Sequence, residues 1–315
     1  MIAFVAAAAL RSVYADRRLP SAPAEVVIPQ GLSVPAIAEL LQRKGVIAST
    51  SAFTLYVRAR HLGASIQADE YSFPSHESIR QVVDVLAAGG FPPAVWIGFP
   101  EGFTARQIAQ RLQDERLVTV KDFMATVRRT RLTVAGARVP SLEGYLFPDT
   151  YLIPRRTSAR AVAGLMTEQF FKRLPADYLK ASHELGFSVP QIVTIASLVE
   201  REAKSDDERA LMAGVYYNRL RIGMPLQVDA TIEYALPLHK TALSFKDLGV
   251  ASAYNSYTHA GLPPTPIANP GLKSLEAAFH PQPSDYLYYV YKGGGHHQFS
   301  RTLGEQEAAE RRYLR

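Results

Sequence analysis

The sequence predicts an α+β protein, in which a repeated β-α region precedes a mixed α+β domain built around a buried helix. Three observations support this prediction. A pattern at residues 28–47 occurs again at 99–118. The stretch at 189–204 is apolar on nearly every side as far as Val199, which is typical of a central helix. After residue 223 the helical periodicity ends, and Pro, Asn, Thr and Tyr become frequent.

The repeat has the same physical plan in both copies. "IPQGLSVPAIAELLQRKGVI" and "FPEGFTARQIAQRLQDERLV" align without gaps at an offset of 71 residues. A β-prone run and a Pro-x-Gly turn come first, and Ser33 or Thr104 then stands where a helix cap is expected. Residues 25–135 therefore read as small β-α units of the kind that grip polysaccharide. The alternative is that they form a spacer.

Further helices and strands are predicted from the spacing of apolar residues and from the positions of glycine and proline. "ADEYSF" at 68–73 alternates like a strand, and helices are expected at 158–174 and 205–223. The aromatic segment "LEGYLFPDTYLIP" at 142–154 is limited by its prolines to short extended pieces. The segment 286–302 predicts a hairpin that turns at Gly293–Gly295, and a last helix closes the chain. We expect a domain boundary near 135–140, with a second domain at 136–315.

Composition limits the class of function. The 315 residues carry a formal net charge of +6, which suits an anionic partner. The basic residues are scattered, and no zinc-finger, KH or RRM pattern is present, so nucleic acid is not the expected partner. Without cysteine the chain has neither disulfides nor a thiolate nucleophile.

The N-terminal segment 1–24 resembles a shortened export or anchor sequence followed by a linker. "MIAFVAAAAL" is apolar but runs for only about ten residues before Arg11, whereas a membrane span needs about 20. "VYA" at 13–15 is similar to a small-residue cleavage site. A helix that lies outside the membrane is the alternative.

Two glutamates end the apolar helix. On a helix, the side chains next to Glu200 are mostly small or apolar, surroundings that favour the protonated form a general acid needs. Small neighbours would also leave room for a substrate. Glu202 lies roughly 200° further around the helix, so the two carboxyl groups cannot easily serve one bond. From the local pattern alone, Glu200 is equally well read as the solvent exit of a core helix, paired with Lys204 or Arg209.

The loops after residue 223 suit a sugar, since amides bind hydroxyl and N-acetyl groups and tyrosine rings offer flat apolar faces. The predicted substrate-binding residues are Gln227, Asp229, Asn255, Tyr257, Asn218 and Glu143. Other chemistries lack support. "GGGHHQ" is not a phosphate-binding loop, adjacent His296 and His297 do not have a metal-ligand spacing, and Ser197 lacks a nucleophile elbow. No cofactor or metal is expected.

Several long motifs resemble, in order, those of the YceG-like family of endolytic murein transglycosylases. They are "LEGYLFPDTYLIP", "IASLVEREAKSDDERALMAGVYYNRLRIGMPLQVDATIEYAL", "SAYNSYTHAGLPPTPIANPG" and "AAFHPQPSDYLYYVYKGGGHHQFSRTLGEQ". The resemblance covers roughly residues 25–315. It implies a LysM-like glycan-binding region at 25–135, a catalytic domain at 136–315, and a membrane-anchored, periplasmic enzyme of the inner membrane.

The resemblance also implies the reaction. The family's catalytic glutamate falls in the motif matched by "SLVERE" and is carried over here to Glu200. It would cleave the β-1,4 bond between N-acetylmuramic acid and N-acetylglucosamine of nascent glycan strands without water, leaving a 1,6-anhydro end and terminating the strand. Such an enzyme needs one carboxyl group, whereas a muramidase needs a second, for which Glu143 and Asp229 are candidates. A non-catalytic scaffold that binds peptidoglycan and wall synthases is the other alternative.

Overall fold

The computed structural model describes residues 17–18, 24–73, 76–89, 94–155, 157–236 and 243–314. The expected anchor or export segment at 1–24 lies almost entirely outside these residues. The chain forms two compact units, Met1–Ala94 and Val95–Arg315, which are described separately below. Each combines helices with small two-stranded sheets, so the predicted α+β class is confirmed.

The first unit is a single β-α-α-β module with a third helix. Its elements are β1 (Arg17–Arg18), β2 (Ala24–Val27), α1 (Val34–Arg43), α2 (Thr50–Ala59), β3 (Glu70–Phe73), β4 (His76–Glu77) and α3 (Ile79–Ala88). Strand β2 pairs antiparallel with β3 and covers α1 and α2. The module has its own apolar core, in which Leu41, Phe53 and Phe73 are fully buried.

The second unit begins with the second copy of the repeat. Its elements are β5 (Ala94–Gly98), α4 (Ala105–Asp114), α5 (Val120–Arg129), the hairpin β6 (Leu132–Val134) and β7 (Ala137–Val139), and β8 (Thr150–Pro154). Strands β5 and β8 are neighbours in one sheet. Thr104 caps α4 by accepting the Gln107 N–H, as predicted, whereas Ser33 occupies the cap position of α1 without making this bond.

The two copies agree beyond the region that the sequence comparison aligned. Ile28 N–H donates to Asp69 O at 2.8 Å, and the equivalent Phe99 N–H donates to Asp149 O at 2.9 Å. In both closing strands, the tyrosine two residues after this aspartate donates its hydroxyl to the carbonyl four residues back, at 2.7 Å. The second module therefore runs from 94 to 154. The two compact units divide at 94/95, and the start of a catalytic domain near 135–140 stays a prediction.

The rest of the second unit surrounds one long buried helix. The elements are α6 (Ala159–Arg173), α7 (Tyr178–Leu185), α8 (Val189–Glu202), α9 (Arg209–Arg221), α10 (Asp229–Ala235), α11 (Leu272–Phe279), β9 (Tyr288–Gly293), β10 (His296–Ser300) and α12 (Leu303–Tyr313). Helix α8 packs against α9, α10 and α11. The predicted helices at 158–174, 189–204 and 205–223, the hairpin and the last helix are all confirmed. The short helices α10 and α11, which flank the Pro- and Asn-rich loop, were not predicted.

Candidate active site

Helix α8 carries both candidate glutamates at its C-terminal end. Every residue from Ile192 to Val199 is buried, and the helix ends at Glu202. Two residues of the small face beside Glu200, Ala196 and Ser197, are packed inside the protein and leave no room for a substrate. Ala196 and Ser197 are fully buried, and Ser197 Oγ accepts the Ile267 N–H at 3.1 Å. The segment just before α11 packs against this side of α8.

Glu200 is held between three segments of the second unit. Its side chain is 7% exposed, and Oε2 accepts the Gly271 N–H at 3.0 Å, immediately before α11. Arg209 Nη1, at the start of α9, lies 3.6 Å from the same oxygen and is itself 12% exposed. Arg209 also donates to Ser274 Oγ at 2.6 Å. These contacts match the ion-paired interpretation of Glu200 that the sequence left open.

The turn of the second module reaches this region. Gly102 N–H donates to Asn269 O at 3.0 Å, and Asn269 N–H donates to Phe103 O at 2.9 Å. A side chain on Gly102 would meet Glu200 Cγ, so the turn lies directly against the end of α8. The turn also brings Glu101 beside Gly271, and burial, together with the charge of Glu200, raises the pKa of Glu101.

Glu202 lies in different surroundings on the other side of α8. Oε1 accepts the Ala230 N–H of α10 at 3.4 Å, and Oε2 accepts the Tyr289 hydroxyl of β9 at 3.4 Å. The Tyr289 and Tyr216 oxygens are 2.9 Å apart, so Tyr216 donates to Tyr289 when Tyr289 donates to Glu202. Burial, with a smaller contribution from the charge of Asp229, raises the pKa of Glu202 to about 7. The residue is nevertheless partly exposed to solvent.

Two of the predicted substrate-binding residues lie next to Glu202. Asp229 is exposed and is the first residue of α10, immediately before the Ala230 N–H that contacts Glu202. Its Oδ1 accepts the Tyr257 hydroxyl at 2.5 Å. Gln227 lies two residues earlier in the same segment, exposed and with a φ of 52°. The structure thus places Asp229 and Tyr257 near Glu202.

Glu143 and Asn269 form a buried hydrogen-bond network next to the second module. Glu143 is 3% exposed, and its carboxylate accepts the Ala105 N–H at 2.8 Å, the Asn269 Nδ2–H at 3.0 Å and the Tyr234 hydroxyl at 3.2 Å. Asn269 Oδ1 accepts the N–H groups of Gly144 and Leu146, each at 2.9 Å. Burial raises the pKa of Glu143 to about 7. Its protein partners leave this carboxyl group little capacity for a substrate.

Asn255 and Asn218 also have protein partners. Asn255 is fully buried, donates to Leu248 O and Val250 O at 2.9 Å, and accepts the Tyr257 N–H at 2.9 Å. It thereby fixes the loop that carries Tyr257. Asn218 donates to Ser284 O at 2.7 Å and to Tyr286 O at 3.0 Å, and it borders a cleft with Tyr217 and Arg221.

The adjacent histidines share one carboxylate. His297 Nδ1 lies 2.9 Å and His296 Nδ1 3.2 Å from oxygens of Glu208, while the buried His297 ring packs against Tyr289. Within the described part of the chain, no group of three or more metal-ligating side chains comes together.

Sequence reasoning missed the contributions of Tyr289, Tyr216 and Glu101. The alternation of the hairpin strand could have indicated that Tyr289 shares a face with His297 and Phe299, but nothing in it named Glu202 as the partner. The signal for Glu101 was available, because the repeat has Glu101 where the first copy has Gln30.

Comparisons with known proteins agree with this architecture. The endolytic murein transglycosylase of Bacillus subtilis is 36% identical over 304 residues, which cover 91% of this chain and 84% of that protein. The endolytic murein transglycosylase of Streptococcus pneumoniae is 31% identical over 296 residues, 84% of this chain and 53% of that protein. The chain thus spans about half the length of the pneumococcal relative.

A solved structure has the same fold. The crystal structure of a YceG-like protein from Listeria monocytogenes matches with a TM-score of 0.62 and 32% identity, over 92% of this chain and 99% of that one. The profile of the YceG-like family matches residues 26–312, which include nearly all of both modules and of the helical core. The chain described here belongs to the YceG-like family.

Proposed function

We propose that this protein is an endolytic murein transglycosylase, a lyase that cleaves the β-1,4 bond between N-acetylmuramic acid and N-acetylglucosamine in nascent glycan strands. Membership of the YceG-like family and the names of the relatives support the proposal. The observation that carries it within the structure is the carboxyl group of Glu202, whose pKa burial raises to about 7, beside loops rich in tyrosine and amide groups.

Two glutamates compete for the role of acid and base. Glu200, which the family motif selected in the sequence, is 7% exposed and is bound by the Gly271 N–H and by Arg209. A general acid must carry a proton near neutral pH and reach the scissile oxygen. Glu202 has the raised pKa and the neighbouring Asp229 and Tyr257, while both glutamates are intermediate in exposure. We therefore assign the acid/base role to Glu202 and a positioning role to Glu200, which holds the end of α8 in place.

The reaction follows from one carboxyl group acting twice. Protonated Glu202 donates its proton to the glycosidic oxygen, and the bond from that oxygen to C1 of the muramic acid breaks with its electron pair going to the oxygen. The 6-hydroxyl of the same sugar attacks C1, and Glu202, now a carboxylate, takes the hydroxyl proton. The 1,6-anhydro end forms without water, and Glu202 is again protonated.

The remaining predicted residues take different roles in this proposal. Gln227, Asp229 and Tyr257 face the region of the glycan. Asn255 supports the Tyr257 loop, and Glu143 supports the turn of the second module. Direct binding of substrate by Asn218 stays a prediction.

Glycan binding by the modules is also part of the proposal. The LysM-like role expected for 25–135 fits the first module best, because Pro29, Gln30 and Gly31 at its turn are exposed. In the second module, the equivalent turn is occupied by Asn269.

A place at the inner membrane facing the periplasm, with wall synthases as neighbours, is proposed from the sequence resemblance. Within the described residues no helix has both the length and the apolar character needed to cross a bilayer. The apolar N-terminal segment lies outside those residues.

A matched pair of variants tests the activity. Purified, uncrosslinked glycan strands are incubated with the wild type, Glu202→Gln or Glu200→Gln, and the ends are identified by mass spectrometry. We expect anhydro ends from the wild type, a loss of about 10²–10⁴-fold for Glu202→Gln, and activity retained by folded Glu200→Gln.

The other outcomes are equally clear. Ends that have gained a water molecule would identify a hydrolytic muramidase, which the presence of Asp229 beside Glu202 makes the second candidate. Strand binding without cleavage by the wild type would identify a scaffold. Full activity of Glu202→Gln together with loss in Glu200→Gln would return the acid/base role to Glu200.

A further inference from the structure

The site beside Glu202 contains a second carboxylate that a one-carboxyl mechanism does not require. Asp229 is the first residue of α10, and the next residue, Ala230, donates its N–H to Glu202 Oε1. The two carboxyl groups are thus linked through adjacent backbone positions, and Asp229 is exposed to the solvent that a glycan would displace.

The hydrogen bonds hold both carboxyl groups in place and leave one oxygen of Asp229 for the substrate. Tyr289 donates to Glu202 Oε2 and the Ala230 N–H donates to Oε1, so both oxygens of Glu202 have a protein donor. Tyr257 donates to Asp229 Oδ1 at 2.5 Å, and among the described residues Oδ2 accepts no hydrogen bond. The Asp229 oxygen that Tyr257 leaves open thus belongs to the residue directly before the Ala230 N–H that binds Glu202.

We propose that Asp229 is a second catalytic carboxylate of this site: fixed by Tyr257, its negative charge stabilises the positive charge that develops on the muramic acid ring as Glu202 transfers its proton. This inference rests on the proposed function. The transition state of glycoside cleavage has oxocarbenium character, and a fixed anion aimed at developing positive charge lowers its energy.

Asp229 acts in this proposal as an ionised group and forms no bond with the sugar. The 6-hydroxyl of the substrate supplies the electron pair that closes on C1, and its proton passes to Glu202. The short hydrogen bond from Tyr257 occupies one carboxylate oxygen and makes that oxygen a weaker nucleophile.

The charged and titratable groups around Glu202 determine how the pH profile of the activity should respond to a substitution. Asp229 and the Ala230 N–H face it from α10, and Tyr289 faces it from β9 with Tyr216 behind. The Lys204 charge acts from the chain just after α8, and Tyr257 is close enough for Glu202 to affect its pKa. Asp229 is the anion among these neighbours, so its removal should make Glu202 lose its proton at a lower pH.

The test compares Asp229→Asn, Asp229→Glu and Tyr257→Phe with the wild type on glycan strands. The matched control is Asp285→Asn, which removes the same charge from an exposed aspartate elsewhere in the second unit. We expect Asp229→Asn to lower kcat by about 10²-fold or more, to keep strand binding within a few fold, and to move the alkaline limb of kcat/KM down by roughly half to one pH unit.

The other variants separate charge from structure. Asp229→Glu should recover part of the activity because it keeps the charge. Tyr257→Phe should lose activity by about tenfold, while the alkaline limb of its kcat/KM profile stays nearly unmoved. Asp285→Asn should match the wild type. The proposal is overturned if Asp229→Asn keeps kcat within about threefold and an unshifted limb, or if Asp229→Glu is no better than Asp229→Asn.

Failure of the proposed function would look different from failure of this inference. If the wild type itself produces reducing ends, the transglycosylase assignment is wrong and Asp229 is the water-activating base of a muramidase. If the wild type produces anhydro ends while Asp229→Asn is fully active, the function stands and Asp229 has no catalytic role.

Discussion

Arg209 Nη1 lies 3.6 Å from Glu200 Oε2, and both side chains are almost completely shielded from water. This pair joins the C-terminal end of α8 to the start of α9, and the Gly271 N–H on the same carboxylate oxygen adds the segment before α11. Glu200 thus stands where three chain segments meet.

We predict that Glu200 contributes to stability rather than to the chemical step. Removing one partner of a nearly buried ion pair costs about 3–5 kcal/mol. Glu200→Gln keeps an acceptor for the Gly271 N–H, so we expect a smaller loss of about 1–3 kcal/mol in the free energy of unfolding. Urea denaturation of Glu200→Gln, Arg209→Ala and the double variant would give a double-mutant cycle with clear coupling. Additive losses would contradict the pairing.

We predict that activity falls as pH rises through neutrality. Glu202 must be protonated to act as an acid, and its pKa is raised to about 7, so the active form is complete at pH 5–6 and is lost above about pH 7. The alkaline limb of kcat/KM, measured on glycan strands at constant ionic strength, should lie near this value. A rate that keeps rising up to pH 9 would exclude Glu202 as the acid.

We predict that Glu143→Gln flattens the pH dependence of stability. Because the folded-state pKa of Glu143 is raised to about 7, folding favours its protonated form. The stability it provides is complete below its ordinary pKa and is lost as pH rises towards 7, by about 3 kcal/mol at most. Gln keeps an oxygen for the Ala105 N–H and offers an N–H to Tyr234. Measured at pH 5 and at pH 8, the free energy of unfolding of the wild type should fall relative to that of Glu143→Gln as the pH rises.

We predict that Glu101→Gln raises the melting temperature at pH 8. Burial and the nearby charge of Glu200 raise the pKa of Glu101, so its ionised form is disfavoured in the folded protein. Glutamine keeps the size and the hydrogen-bonding groups of the side chain without its charge, and the first copy of the repeat has Gln30 at the equivalent position. Arg106→Gln, on the exposed face of α4, controls for general charge effects. A lower melting temperature for Glu101→Gln would contradict the repulsion between Glu101 and Glu200.

Most of the fold could be predicted because its signals are local. Caps, glycine stops and apolar spacing located the helices at 159–173, 189–202 and 303–313 to within a few residues. The short helix α10 was missed because its seven residues contain two turns at most, too few for a periodic pattern. The full extent of the second module was missed because its closing strand lies far from its first strand in sequence and resembles β3 at only a few positions.

The candidate site was predictable in its residue types but not in its partners. Asp229 and Tyr257 were chosen for their chemistry, yet which glutamate they accompany depends on how α10 and the following loop pack against α8. Similarly, nothing local distinguishes Glu143 from a substrate-binding carboxylate. Its burial depends on Ala105 and Asn269, which are 38 and 126 residues away.

The backbone pairing of Gly102 and Phe103 with Asn269 makes the two copies of the repeat non-interchangeable. A chimera that places 28–47 at positions 99–118 would keep the cap position and the apolar spacing, and its helix pair should still form. It would also carry Gln30 and Leu32 into the turn that lies against the end of α8. Substitutions in the first copy are therefore limited mainly by the ligand that it binds. Substitutions in the second copy must also preserve the contacts between its turn and the core of the second unit.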